Sequence, residues 1–151
     1  MSTRFPALAV VLATAALASA GQAAAPRRTA CTQQGLTGVW SLQSVTAAEK
    51  GVQDFYRRHP VEYMRFTAAG KYDYVAMDRP LANLAAVNAS LNRADAGDGV
   101  TYAARMLGGM LMIYRDGRPW QGFMCIMEGS SMVWTEIQGY PKVRRIQTRV
   151  R

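Results

Sequence analysis

The residues in this chain that could carry out acid–base chemistry are a few carboxylates on or beside predicted strands. Glu136 stands out because it shares a strand face with Met132 and Trp134. If that face points inward, Glu136 is a buried acid whose pKa would be raised, as acid–base catalysis requires. If it points outward, Glu136 lies on the surface beside a basic residue of the last strand. We favour the outward orientation, and no catalytic residue is assigned.

The sequence contains few residues suitable for other kinds of catalysis. The chain has one histidine, His59, which precedes Pro60 in a predicted loop. A zinc or copper site would need more nitrogen or sulfur ligands, and a Ser-His-Asp set would need the same histidine. No phosphate-binding glycine motif is present. The sequence therefore predicts neither a metal nor a cofactor.

Apolar residues suitable for lining a cavity are abundant. The chain contains nine methionines, three tryptophans, seven tyrosines and four phenylalanines. Methionine adapts to irregular shapes and aromatic rings form flat walls, which suits a cavity for an apolar ligand. The residues predicted to line one are Met64, Phe66, Tyr72, Tyr74, Tyr102 and Met106. The same residues would fill a solid core equally well, and the sequence leaves both interpretations open.

The N-terminus predicts export. One positive charge at Arg4 precedes an apolar run over 7–18 and small residues at 18–25, the pattern of a cleaved secretory signal. A membrane anchor is the alternative, but the run is shorter than the roughly 20 residues that a spanning helix needs. We expect a signal peptide over 1–25, a polar lead-in over 26–35 and one domain over 36–151, located in the periplasm or secreted.

The formal net charge of +8 raises the question of an anionic partner. The densest basic cluster is Lys142, Arg144, Arg145, Arg149 and Arg151. No basic helix or nucleic-acid-binding motif accompanies it, so we predict no nucleic-acid partner. A solvated strand face is the favoured interpretation. An anionic envelope surface that docks through Arg144, Arg145 and Arg149 is the alternative.

The two cysteines, Cys31 and Cys125, are predicted to form a disulfide. Paired cysteines in an exported chain usually bond, and two free thiols are the alternative. The bond would close a loop of roughly 90 residues and contribute about 4–5 kcal/mol in the loop-entropy model.

Alternating apolar and polar residues predict a domain made mainly of strands. Asp116-Gly117 and Gly70 mark tight hairpin turns. Eight strands are expected at roughly 36–46, 61–67, 71–77, 100–107, 110–115, 119–127, 131–137 and 142–150. Short turns between them predict an eight-stranded antiparallel up-and-down barrel.

One short amphipathic helix is predicted between the third and fourth of these strands. Asp78 would cap it, Pro80 would occupy its first turn, and it would end within 92–94. Such a helix either packs on the barrel as a crossover, which we favour, or covers its opening as a lid. Only a short helical turn is expected around Val52, Phe55 and Tyr56.

Gly38-Val39-Trp40 at the start of the first strand resembles the G-x-W motif of the lipocalin-like (calycin) barrels, in their small exported bacterial form. The hairpin over 64–72 is similar to hairpins of that group. The resemblance implies that an arginine near the end of the last strand, Arg149, packs across Trp40 as a structural barrel end. The internal helix departs from the lipocalin pattern, in which the long helix follows the barrel. Strict alternation also places Arg144, Ile146, Thr148 and Val150 inward and leaves Arg149 outward.

The predicted function is an exported binding module that holds a small apolar or amphipathic ligand in the barrel. One alternative is an isomerase or cyclase on the same barrel that uses Glu136 with Tyr114. Another is an envelope interaction protein that uses its basic terminal strand.

Overall fold

The computed structural model describes residues 26–97, 99–138 and 143–151. The predicted signal peptide over 1–25 and the start of the last predicted strand, at 142, lie outside these residues. The elements are β1 (Arg28–Ala30), α1 (Gln33–Leu36), β2 (Gly38–Thr46), α2 (Lys50–Arg58), β3 (Val61–Phe66), β4 (Tyr72–Met77), α3 (Leu84–Gly97), β5 (Tyr102–Leu107), β6 (Met110–Arg115), β7 (Arg118–Glu128), β8 (Ser131–Gln138) and β9 (Arg144–Arg149).

Eight of the strands form a nearly closed antiparallel barrel, as predicted. Their order is β4-β3-β2-β9-β8-β7-β6-β5, so strands adjacent in the chain are adjacent in the sheet and β9 returns to β2. The remaining seam, between β4 and β5, is joined by a bridge between Lys71 and Ala103 and by a 2.8 Å hydrogen bond from Ala104 N to Gly70 O. The architecture is compatible with a calycin-like barrel.

One end of the barrel, which we call the closed end, is sealed by Trp40. Its side chain is fully buried, and its Nε1–H donates to Leu36 O at 2.7 Å. The Arg149 guanidinium lies 4.5 Å above the indole and donates to the carbonyls of Thr37 and Gly35, each at 2.6 Å. Gly38 has a φ of +135°, and a Cβ there would lie 2.5 Å from Arg149 Nη1. A glycine is therefore required for this arginine to reach the indole.

The lead-in over 26–35, expected to be irregular, contains β1 and α1. β1 pairs with β7, with Ala30 opposite Ile126. Cys31 and Cys125 form the predicted disulfide, with a Cα–Cα distance of 5.4 Å. The bond and the strand pairing hold the lead-in against β7, and its last residue, Gly35, offers a carbonyl to Arg149.

The inward face of β9 is the opposite of the one that strict alternation predicted. Gln147 is fully buried, Val143 is 1% exposed, and the Arg145 side chain is 14% exposed. Arg149 shares their parity, whereas Val150 packs against an apolar cluster that includes Val87 and Leu91 of α3. The prediction failed because α3 gives the outer face an apolar contact, while Arg145 on the inner face finds Tyr56 and Glu136 inside the barrel.

Three helices are described where one was predicted. The expected helix, α3, begins at Leu84 instead of the turn after Pro80, because Asn83 and not Asp78 caps it: Asn83 Oδ1 accepts from Ala86 N at 2.9 Å. It continues to Gly97, past the expected end. Val87 and Leu91 pack against Tyr63, so α3 is a crossover helix on the side of the barrel. Within the described residues, no helix has the length and apolar character needed to cross a membrane.

The second long helix, α2, was expected only as a short turn. Asp54 pairs with Lys50 at 3.5 Å and with Arg57 at 3.0 Å, which supports the helix on its exposed side. His59 N bonds Phe55 O at 2.9 Å, and Pro60 ends the helix. Tyr56 is the residue that α2 buries. This helix lies at the open end of the barrel, which we call the mouth.

Candidate functional site

A cavity of about 410 Å³ lies at the mouth between α2 and the barrel strands. Aromatic residues of three strands and of α2 supply much of its wall. They are Phe55, Tyr72, Tyr74, Trp120, Phe123 and Trp134. Phe123 and Trp134 are 2% exposed, with ring centroids 4.9 Å apart, so this part of the wall is fixed by packing.

Charged and polar side chains meet in the same cavity, and we call Tyr56, Glu62, Gln121, Glu136 and Arg145 the mouth cluster. Glu62 comes from β3, Arg145 from β9 and Tyr56 from α2. The Tyr56 hydroxyl donates to Glu62 Oε2 at 3.2 Å and accepts from Arg145 Nε at 2.6 Å. Tyr56 thus links α2 to two strands that are not neighbours in the sheet.

Glu136 occupies the other side of Arg145. Its Oε2 lies 3.8 Å from Arg145 Nη1, and its Oε1 accepts from Gln121 Nε2 at 3.5 Å. The residue is 5% exposed. The preference for an outward Glu136 was therefore wrong. The acid does pair with a basic residue of the last strand, but the pair lies inside the barrel.

Burial changes the protonation equilibria of the mouth cluster. Burial raises the pKa of Glu62 above its ordinary value, and Arg145 and the Tyr56 hydrogen bond oppose the shift. Burial, together with the nearby Glu62, also raises the pKa of Tyr56. Burial alone would lower the pKa of Arg145, but Tyr56 and Glu62 outweigh it and the net shift is upward. Arg145 is the fixed positive charge of the site.

Two residues that line this cavity carry a buried donor with no hydrogen-bond acceptor among the described residues. The donors are Trp134 Nε1 and Arg145 Nη1. Arg145 Nη1 is close enough to Glu136 for an ion pair but too far for a hydrogen bond. A buried donor without an acceptor costs about 1–3 kcal/mol, so such groups are uncommon away from binding sites and ordered water.

The structure separates the six residues predicted to line a cavity. Tyr72 and Tyr74 lie in the cavity wall. Met64 and Phe66 are at most 1% exposed and belong to the packed core, against which Tyr102 and Met106 also pack. Tyr102 additionally contributes, with Tyr72 and Tyr74, to a recess of about 180 Å³. The interior is thus filled near the closed end and hollow near the mouth.

Other predicted site residues are placed as follows. Tyr114, the suggested partner of Glu136, does not line the cavity, and its ring lies 5.4 Å below the Arg105 guanidinium. Of the three arginines suggested for an anionic surface, Arg145 lies inside the barrel and Arg149 over Trp40, whereas Arg144 is partly exposed. Docking to an anionic surface stays a prediction.

Sequence reasoning missed Glu62, Tyr56 and the inward Arg145. A signal was present for Glu62, which alternates in phase with Met64 and Phe66 and so shares their face of β3. None was present for Arg145, because the apolar alternation of β9 pointed to the other face. Tyr56 could not be assigned to the site without knowing where α2 packs.

Within the part of the chain that the structure describes, histidine, cysteine and acidic residues form no group of three that could hold a metal ion. The chain matches no protein-family model, and no curated protein matches it significantly. The class that the structure supports is a nearly closed antiparallel β-barrel with a partly polar cavity at its mouth.

Proposed function

We propose that the protein is an exported, lipocalin-like binding module that holds a small apolar or amphipathic ligand in the mouth cavity. The observation that carries this proposal is the cavity itself. Its volume of about 410 Å³ lies within the roughly 300–1,000 Å³ usual for ligand pockets. Aromatic walls with a few convergent polar groups are also typical of such pockets.

Export is supported by two independent features. The N-terminal sequence has the organisation of a cleaved signal, and the Cys31–Cys125 disulfide is of the kind that persists in oxidising compartments. The lipocalin-like assignment is supported by Gly38, Trp40 and Arg149, which together seal the closed end. We place the protein in the periplasm or outside the cell.

Native mass spectrometry of protein purified from its own host tests the proposal directly. We expect a co-purifying small molecule, and fatty-acid or retinoid-like probes should change the fluorescence of Trp120 and Trp134. Absence of both a co-purifying molecule and probe uptake would refute the binding function.

A variant that blocks the opening tests whether any binding takes place in this cavity. Gly51 lies in the cavity wall, and a Cβ there would have only the Glu49 side chain nearby, at 3.7 Å, so Gly51→Trp can place a ring in the opening. Gly97→Trp is the matched control, because nothing lies within 4 Å of an added Cβ at the end of α3. We expect probe binding to fall at least tenfold, about 1.4 kcal/mol, in Gly51→Trp only.

An enzyme on the same barrel is the second candidate, favoured by the inward position of Glu136 beside Arg145 in the cavity that Glu62 also lines. Two buried carboxyls in different surroundings can take different protonation states, as acid–base catalysis requires. Glu136→Gln distinguishes the two functions. Loss of turnover of a bound compound with its affinity retained would favour the enzyme, whereas a binding module has no turnover to lose.

A further inference from the structure

Trp134 and Arg145, which both line the mouth cavity, each carry a buried donor that has no hydrogen-bond acceptor among the described residues. Trp134 is 2% exposed, so its Nε1–H cannot find bulk water, and Arg145 Nη1 is likewise buried without a hydrogen bond. Both residues contribute to the same cavity wall. Because the unpartnered groups there are donors, the group that would complete the site is an acceptor, such as an oxygen atom.

The charges around Arg145 limit the functional group that can supply this oxygen. Arg145 already has an ion-pair partner in Glu136 and lies close to Tyr56, which bonds Glu62. A ligand carboxylate at Arg145 would bring another negative charge next to Glu136, and like charges in a cavity of low polarity repel strongly. A carbonyl oxygen accepts from the same donors without adding a charge.

The aromatic wall limits the remainder of the ligand. Phe123 and Trp134 are packed rings, and Tyr72 and Tyr74 stack in parallel with their centroids 6.4 Å apart. A planar, conjugated ring system can lie against such faces and bury its apolar area. A flexible chain would lose more conformational freedom on binding.

From these observations we infer that the cavity binds an uncharged, planar aromatic compound whose carbonyl oxygen accepts hydrogen bonds from Arg145 Nη1 and Trp134 Nε1. This inference rests on the proposed binding function and specifies its ligand class. Arg145 and Trp134 are then the residues that determine specificity, while the other rings supply apolar contact.

Three probes with one ring system and different side groups test the ligand class on the unmodified protein. They are 2-acetylnaphthalene, which carries a neutral carbonyl, 2-ethylnaphthalene, which has no acceptor, and 2-naphthoate, which is an anion. Titration calorimetry near neutral pH measures each affinity. We expect 2-acetylnaphthalene to bind about tenfold more tightly than either of the others, as a hydrogen bond to a charged donor allows.

Trp134→Phe then tests the contribution of the indole donor. It keeps an aromatic ring in the wall and removes the N–H, so binding of 2-acetylnaphthalene should weaken about fivefold while binding of 2-ethylnaphthalene changes less than about twofold. Trp120→Phe is the matched control, because Trp120 lies in the same wall but its nitrogen is not a buried donor without an acceptor. It should affect both probes alike.

Each other outcome overturns the inference. Equal binding of the acetyl and ethyl probes would show that the donors do not select the ligand, although the binding function would stand. Tightest binding of 2-naphthoate would assign the cavity to anions. Binding of none of the three would refute the ligand class, and native mass spectrometry of host-purified protein then decides the binding function separately. If Trp134→Phe does not fold, the three-probe comparison still decides.

Discussion

Arg145 and Arg149 lie four residues apart on β9 and share one face of the strand, but they make different contacts at the two ends of the barrel. Arg149 covers Trp40 and donates to two backbone carbonyls at 2.6 Å, so its charge is matched by fixed neutral acceptors. Arg145 bonds the Tyr56 hydroxyl and lies 3.8 Å from Glu136, and its Nη1 has no acceptor in the described part of the chain.

The two ends therefore differ in how well their buried polar groups are satisfied. At the closed end, the polar groups of Trp40 and Arg149 have partners and the neighbouring core is packed, which favours stability. At the mouth, buried charges and donors surround a cavity, an arrangement that costs stability unless a ligand completes it. Substitutions at the two ends should therefore affect different properties.

The largest expected effect comes from releasing the lead-in, whose Gly35 carbonyl bonds Arg149 at the closed end. Replacing both Cys31 and Cys125 with serine removes a bond between residues 94 apart in sequence and should lower the free energy of unfolding by about 4–5 kcal/mol. Denaturant unfolding of the variant and of the parent protein measures the loss. A loss below about 1 kcal/mol would show that β1 pairing alone holds the lead-in in place.

At the mouth, Arg145→Met should lower the free energy of unfolding by about 3–4 kcal/mol, because it removes the charge that pairs with Glu136 and the donor that bonds the Tyr56 hydroxyl next to the buried Glu62. Adding Glu136→Gln should recover part of the loss, since the second substitution removes the acid whose ion pair with Arg145 was broken. Urea denaturation of the single and double variants measures both effects. If the double variant is less stable by the sum of two independent losses, the Arg145–Glu136 pair is not the unit assumed here.

Arg149→Met should cost less than Arg145→Met, about 2 kcal/mol, because it leaves only backbone carbonyls near solvent and removes the contact with the Trp40 ring. Arg149→Lys should restore part of the loss through its charge, but one ammonium cannot reproduce the planar fork. Thermal unfolding ranks the variants. Probe affinity at the mouth should stay within about twofold of the parent, and a larger change would show that the two ends are coupled.

Gln147 lies on β9 between the two arginines and has no hydrogen-bond partner for either amide atom among the described residues, although it is fully buried. Gln147→Met keeps the shape of the side chain and removes this polar cost, so stability should rise by about 1 kcal/mol. Equilibrium unfolding measures the gain. A loss of stability instead would show that the amide is satisfied by an internal water.

The smallest expected change concerns pH, because Arg145 and Tyr56 offset part of the burial cost of Glu62. The folded protein raises the pKa of Glu62 and therefore holds this proton more tightly than the unfolded chain does. The stability that Glu62 contributes is fully present at pH values below its ordinary pKa of 4.5. It is lost as pH rises through the folded-state pKa. Glu62→Gln should therefore gain stability relative to the parent protein as pH rises, measured by denaturant unfolding across that interval. Parallel profiles for the two proteins would contradict the shift.

Much of the fold could be predicted because its signals are local. Turn residues such as Asp116-Gly117 fix hairpins within a few positions, and strand alternation between successive turns gives the up-and-down order. The disulfide could be predicted because the chain has two cysteines and an N-terminus that predicts export to an oxidising compartment. The prediction of one helix failed at α2, where Tyr56 anchors a short helix through partners on β3 and β9 that local periodicity does not reveal.

The sequence by itself determined the barrel, its strand order and the disulfide, because turn chemistry, period-two alternation and a single cysteine pair each have few solutions. Only the tertiary structure decided which face of β9 points inward and which part of the interior is hollow. Alternation identifies the two faces of β9 but does not say which one points into the barrel. Here α3 packs on the outer face, and Tyr56 and Glu136 contact Arg145 on the inner face. The mouth cluster exists because β3, β8, β9 and α2 converge there, and that convergence is a property of the closed sheet.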